Sequence, residues 1–131
     1  MKQLFILEFP VNSIQDASDL FTHIKTINID YNQEHFIIFT LNTKNQIINA
    51  HIITIGILDA GLIHPREIFR KAILDNSKSI IIAHNHPSSD LKPSLEDEST
   101  YHMLINAGEI IGIPVIDSII FNEKEFYSMK V

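Results

Sequence analysis

Apolar positions along this chain change their period several times, and each change marks a predicted element. From Ser13 to Lys25 they fall at Ile14, Ala17, Leu20, Phe21 and Ile24, the stripe of an amphipathic helix. Ser13-x-x-Asp16 reads as a capping box at its start. Residues 35–41 are rich in Phe and Ile and predict a strand. Asn42-Thr43-Lys44-Asn45 is a turn, and residues 46–55 make the second strand of a hairpin. Residues 56–64 read as a loop. Pro65 suits the first position of a helix over about 65–75, with Ile68, Ala72 and Ile73 inward. Residues 78–83 form a short apolar run, which predicts a strand buried on both faces. A polar loop with Pro87 and Pro93 leads to a helix from about Ser94 to Ala107, stopped near Gly108. Strands are predicted at 113–121 and 125–129, and the first ten residues read as a short strand or an extended lead-in. No repeat, linker or low-complexity segment interrupts the pattern. Helices between strands predict one layered α/β domain.

Composition narrows the function classes. With 131 residues and 45% hydrophobic positions, the chain is long and apolar enough to bury a core. No apolar run approaches the roughly 20 residues that span a bilayer. The start, Met1 to Phe5, has no signal-peptide layout, so a cytoplasmic location is expected. Cysteine is absent, which excludes disulfides, thiolate catalysis and cysteine-bound zinc. Any metal must be held by histidine and carboxylate. The net charge of -6 argues against a nucleic-acid surface. Arg66, Arg70 and Lys71 lie at helical spacing and read as a solvated face.

The candidate chemistry lies in His84-Asn85-His86-Pro87, just after the apolar strand. Residues two apart on an extended segment point the same way, so both imidazoles reach one place. Asp97 follows eleven residues after His86. Two imidazoles, one carboxylate and a position left to water suit a catalytic zinc site. Ser94-Leu95-Glu96-Asp97 also fits a capping box, so spacing alone leaves Asp97 divided between helix cap and ligand. His23, His35, His51 and His102 read as ordinary core or surface histidines. Hydrolysis also needs a base, and Glu34, Glu67, Glu96 and Glu98 are all available. Glu34 opens the strand at 35–41, but the residues alone do not select it.

His84-x-His86-Pro87, seven intervening residues, then Ser94 and Asp97, resembles the JAMM metalloprotease pattern of the JAB/MPN superfamily. Within it the chain is similar to the bacterial RadC family. The matching blocks are Glu34-His35-Phe36, His64-Pro65-Arg66-Glu67-Ile68-Phe69, His84-Asn85-His86-Pro87-Ser88, Pro93-Ser94-x-x-Asp97, Ala107-Gly108 and Gly112-Ile113-Pro114-Val115-Ile116-Asp117. The resemblance runs from about residue 10 to 129. It implies a mixed β-sheet flanked by helices, similar to cytidine deaminases. It implies zinc held by His84, His86 and Asp97, Glu34 as general base, and Ser94 donating to an oxyanion. The implied reaction is hydrolysis of peptide or isopeptide bonds, with a peptide or protein as substrate.

RadC proteins typically carry an N-terminal helix-hairpin-helix region, and residues 1–131 are expected to form the JAB/MPN domain without it. Ser89 stands where the family usually has Gly, and Ser118 where it usually has His. A DNA-repair-associated accessory role and a non-catalytic metal-bearing scaffold are the competing functions. The acidic balance weighs against the first, and the complete set of ligands against the second. His84-Asn85-His86 is not an HNH nuclease motif, whose residues are spread over a longer unit. A deaminase would need cysteine ligands.

Overall fold

The computed structural model describes residues 13–56 and 63–130. The lead-in read over the first ten residues and most of the loop read over 56–64 lie outside the described residues. The elements run α1 (Ala17–Ile24), β1 (His35–Leu41), β2 (Ile47–Ile55), α2 (Pro65–Leu74), β3 (Ser79–Asn85), α3 (Leu95–Ile111), β4 (Val115–Phe121) and β5 (Phe126–Ser128). Five strands form one sheet in the order β2-β1-β3-β4-β5. β1 and β2 are the predicted antiparallel hairpin. β3 pairs antiparallel with β1 and parallel with β4, and β5 closes antiparallel on β4. The parallel pair is what requires α3 as a crossover.

β1 and β3 are buried along their whole length, as expected of apolar strands in the middle of a sheet. On one face Ile37, Phe39, Ile81, Ala83, Ile119 and Phe121 pack with Leu20, Phe21 and Ile24 of α1. On the other, Phe36, Ile38, Ile80, Ile82 and Val115 meet Ile68, Phe69 and Ala72 of α2 and Tyr101 and Leu104 of α3. The result is the layered α/β domain that the element order predicts, with the mixed sheet flanked by helices that the resemblance implies. Among the described residues no helix is long and apolar enough to cross a membrane. Arg66 and Arg70 are exposed on α2, as a solvated face requires.

Several boundaries differ from the sequence reading, each for a local reason. α1 starts at Ala17, and its N-cap is Asp16, whose side chain accepts from the Asp19 N–H. Ser13 is held elsewhere: its hydroxyl donates to the Lys44 carbonyl, and the Ile14 N–H donates to the Asn45 carbonyl. Those bonds tie the chain to the hairpin turn before the helix begins. On α2, Ile73 is 58% exposed and Phe69 is buried instead. The buried stripe centres between Ile68, Phe69 and Ala72, which leaves Ile73 at its edge.

α3 does not stop near Gly108 but continues to Ile111, capped by Gly112 in the left-handed region at φ 89°. Gly108 serves close packing: a Cβ there would lie 2.5 Å from the Ile113 carbonyl oxygen. β3 extends two residues further than predicted and includes His84 and Asn85.

Candidate metal centre

The site lies where the C-terminal end of β3, the residue before β1 and the first turn of α3 meet. His84 is the sixth residue of β3, paired with Phe36 on β1 and Ile120 on β4. His86 follows one residue beyond the strand, and the two ring centroids lie 5.1 Å apart. The alternation expected of an extended segment thus brings both imidazoles to one side. His84 is buried among its neighbours, with its ring stacked 6.1 Å from Phe36.

Asp97 approaches both rings from the helix. Its Oδ1 lies 3.0 Å from His84 Nε2, and its Oδ2 lies 2.9 Å from His86 Nε2. Oδ2 also accepts the Ser94 N–H at 2.9 Å, while Ser94 Oγ accepts the Asp97 N–H at 3.0 Å. The reciprocal capping box is therefore real, and it aims the carboxylate at the histidines. Cap and histidine contact coexist on one side chain.

The ring of His86 is oriented from its far side. Nδ1 lies 2.7 Å from the Asp90 carbonyl oxygen, which can only accept, so Nδ1 carries the proton. Nε2 then faces Asp97 and the cavity. The Asp97 hydrogen bond raises the His86 pKa above its ordinary value, against an opposing contribution from burial. Burial alone would raise the Asp97 carboxyl. The contacts from His84, His86 and the Ser94 N–H outweigh it and hold the group well below the usual carboxylate range.

His84 is the informative orphan. It is 2% exposed, and neither ring nitrogen has a directed hydrogen-bond partner. The 3.0 Å approach of Nε2 to Asp97 is close in distance but off line for a hydrogen bond. A buried ring nitrogen without such a partner needs an explanation, and a metal ion is one. Glu34, His84 and His86 offer ligand atoms all within 4.8 Å of one another, a cluster able to hold a metal ion. Nitrogen and carboxylate donors of this kind suit zinc and other divalent cations.

Glu34, His86, Ser94 and Asp97 line one cavity of about 310 Å³, with Ser88, Asp90, Lys92 and Glu96. All five residues singled out from the sequence (Glu34, His84, His86, Ser94 and Asp97) are thus brought together. Glu67 is on α2 and does not line this cavity, and Glu98 lines a neighbouring one. That second cavity, about 650 Å³, holds Tyr101, His102, Ile105, Tyr127 and Met129 and shares Lys92 with the first.

Sequence reasoning missed the role of Asn85. The signal was available in retrospect: a carboxamide closing an otherwise apolar strand must find partners inside the protein. Its Oδ1 accepts the His35 N–H at 2.8 Å, and its Nδ2 donates to the Gln33 carbonyl at 3.0 Å.

The chain is similar to known proteins over most of its length. Residues 12–131 match the family model described as "RadC-like JAB domain". A UPF0758 protein of Methanococcoides burtonii is 38% identical over 121 residues, covering 92% of this chain and 53% of that protein. One of Desulforamulus reducens is 48% identical over 101 residues, covering 77% of this chain and 44% of its own. One of Chlorobaculum tepidum is 41% identical over 117 residues, covering 89% and 53%. The chain spans about half the length of the curated relatives it matches. A family model covering all but the first eleven residues shows that this chain belongs to the RadC-like JAB domain family.

Proposed function

We propose that this chain is a metal-dependent hydrolase of the JAMM type, with zinc as its metal and a peptide or isopeptide bond as its target. The observation that carries the reading is the convergence of His84 at the end of β3 and His86 just beyond it with Asp97 from α3, next to Glu34. In this reading His84 and His86 hold the metal through Nε2, and Asp97 through a carboxylate oxygen. A zinc ion there would act as a Lewis acid and lower the pKa of a water to about 7.

Glu34 takes the proton of the attacking water and returns it to the leaving nitrogen. Ser94 Oγ spends a lone pair on the Asp97 N–H, which leaves its O–H to donate to the developing oxyanion. The larger cavity beside the site, where Tyr101, Ile105, Tyr127 and Met129 stand with Lys92, Glu98 and His102, offers room for a substrate side chain near the cleaved bond. The net charge of -6 weighs against a DNA-binding role for these residues.

The test joins metal analysis to turnover. Untagged protein purified without chelator should carry about one zinc per chain, and a His84→Ala/His86→Ala control should carry none. Glu34→Gln should keep the metal and lose hydrolysis across a panel of peptide and isopeptide substrates. Full activity in Glu34→Gln would remove Glu34 from the role of base. A metal-free wild type would sink the hydrolase reading.

A further inference from the structure

We propose that Asn85 is a positioning residue for Glu34: its side-chain amide holds the backbone on both sides of the base and so ties it to the histidine pair. This rests on the reading of Glu34 as the base. Asn85 is the last residue of β3, lies between His84 and His86, and is 0% exposed. Strand alternation turns its side chain away from the two imidazoles.

The β1–β3 ladder ends at the Phe36–His84 pair, so Glu34 lies beyond it. There the Asn85 amide takes over the pairing. Oδ1 accepts the His35 N–H at 2.8 Å, and Nδ2 donates to the Gln33 carbonyl at 3.0 Å. Those partners flank Glu34 directly. The Glu34 carbonyl itself accepts the Gly56 N–H at 2.8 Å. The orientation of the amide is settled by its partners, because a flip would set donor against donor and acceptor against acceptor.

A carboxylate keeps the acceptor and loses the donor, a hydroxyl is too short to reach both groups, and an alkyl group offers neither. A proton acceptor displaced by about 1 Å can cost on the order of a hundredfold in rate. One strand position thus couples ligand placement, through its neighbours in sequence, to base placement, through its side chain.

The experiment compares wild type, Asn85→Ala and Asn85→Asp in the metal-loaded full chain. In Asn85→Ala we expect kcat to fall at least tenfold, with KM and zinc content unchanged, and Asn85→Asp to fall between it and wild type. Read on the residual metal-dependent turnover that Glu34→Gln keeps above the His84→Ala/His86→Ala background, Asn85→Ala should produce no further loss, because its effect passes through Glu34. A merely structural role would slow that residual turnover as well, so a further loss overturns the proposal. Unchanged kcat in Asn85→Ala overturns it too.

A second readout needs no substrate, and its first arm needs no variant. The His35 amide should be protected from hydrogen exchange in the wild type at a level near that of Ile38 and Phe39. In Asn85→Ala it should exchange at least tenfold faster while those two remain unchanged. An unprotected wild-type His35 amide overturns the bracket even if the variants fail to fold. A wild type that hydrolyses nothing would refute the proposed function and leave the exchange measurement to decide the bracket.

Discussion

The Ser94 main-chain N–H donates to Asp97 Oδ2 at 2.9 Å, and that same oxygen lies 2.9 Å from His86 Nε2. The cap therefore sets the rotamer that the candidate metal site uses. Helix α3 contributes to the site by where it starts, and the residue that starts it is Ser94.

The two functions of this turn separate by substitution. Asp97→Asn keeps an oxygen to accept the Ser94 N–H but loses the charge. Zinc affinity should fall more than about tenfold while the cap bond to the Ser94 N–H remains. Ser94→Ala should do the reverse, losing about 1 kcal/mol of stability with zinc still bound. Thermal melts beside a competitive chelator titration decide it, and wild-type zinc affinity in Asp97→Asn would remove Asp97 from the ligand set.

Gly108 gives a packing prediction. The Cβ of Gly108→Ala would sit 2.5 Å from the Ile113 carbonyl oxygen and 3.3 Å from Phe69. Backbone and ring must both shift, so a loss of about 1–3 kcal/mol is expected despite the better helix propensity of alanine. Urea unfolding measures this directly. An Ala variant as stable as wild type would mean that the α3–β4 connection relaxes freely.

Much of this architecture is legible in the sequence because period and burial agree. A strand carrying the apolar run over residues 80–83 had to be central, and the alternation of His84 and His86 across one residue had to bring two imidazoles together. What the chain pattern hides is distance. Asn85 bonds residues 50 and 52 positions away, and only the sheet order shows that β1 and β3 are neighbours. Glu34 was one of several eligible carboxylates for the same reason. The two glycines near the end of α3 looked alike in sequence. Gly112 takes the positive φ that ends the helix, while Gly108 clears space for a carbonyl.

Ser89 tests the loop that carries His86. Its φ of 67° lies in the left-handed region, which costs a non-glycine residue about 1 kcal/mol or more. The loop is held there because the Ser89 N–H donates to the His86 carbonyl and the Ser89 carbonyl accepts from Asn122 Nδ2. Ser89→Gly should therefore raise stability by roughly 0.5–1 kcal/mol, the strain relieved less the extra freedom of glycine in the unfolded chain. Zinc content should not change. A destabilised Ser89→Gly would show that the serine contributes more than its backbone angle costs.

The pH response of the metal-free protein follows from His86. Its folded pKa lies above the ordinary 6.5, chiefly through the hydrogen bond to Asp97. The charged ring is thus favoured by folding, and its contribution is fully present below pH 6.5 and is lost as pH rises through the folded value. Asp97 has the opposite sense: its folded pKa is depressed, so its contribution is present above its ordinary 3.8 and fades only in stronger acid. Chelator-treated wild type should accordingly exceed His86→Gln in melting temperature most clearly between about pH 4 and 6.5, with the gap closing above neutrality. With zinc present the trend should reverse, because protons compete with the metal for the same Nε2 and metal stabilisation grows as pH rises. A gap that widens with pH in the metal-free protein would contradict the His86–Asp97 contact.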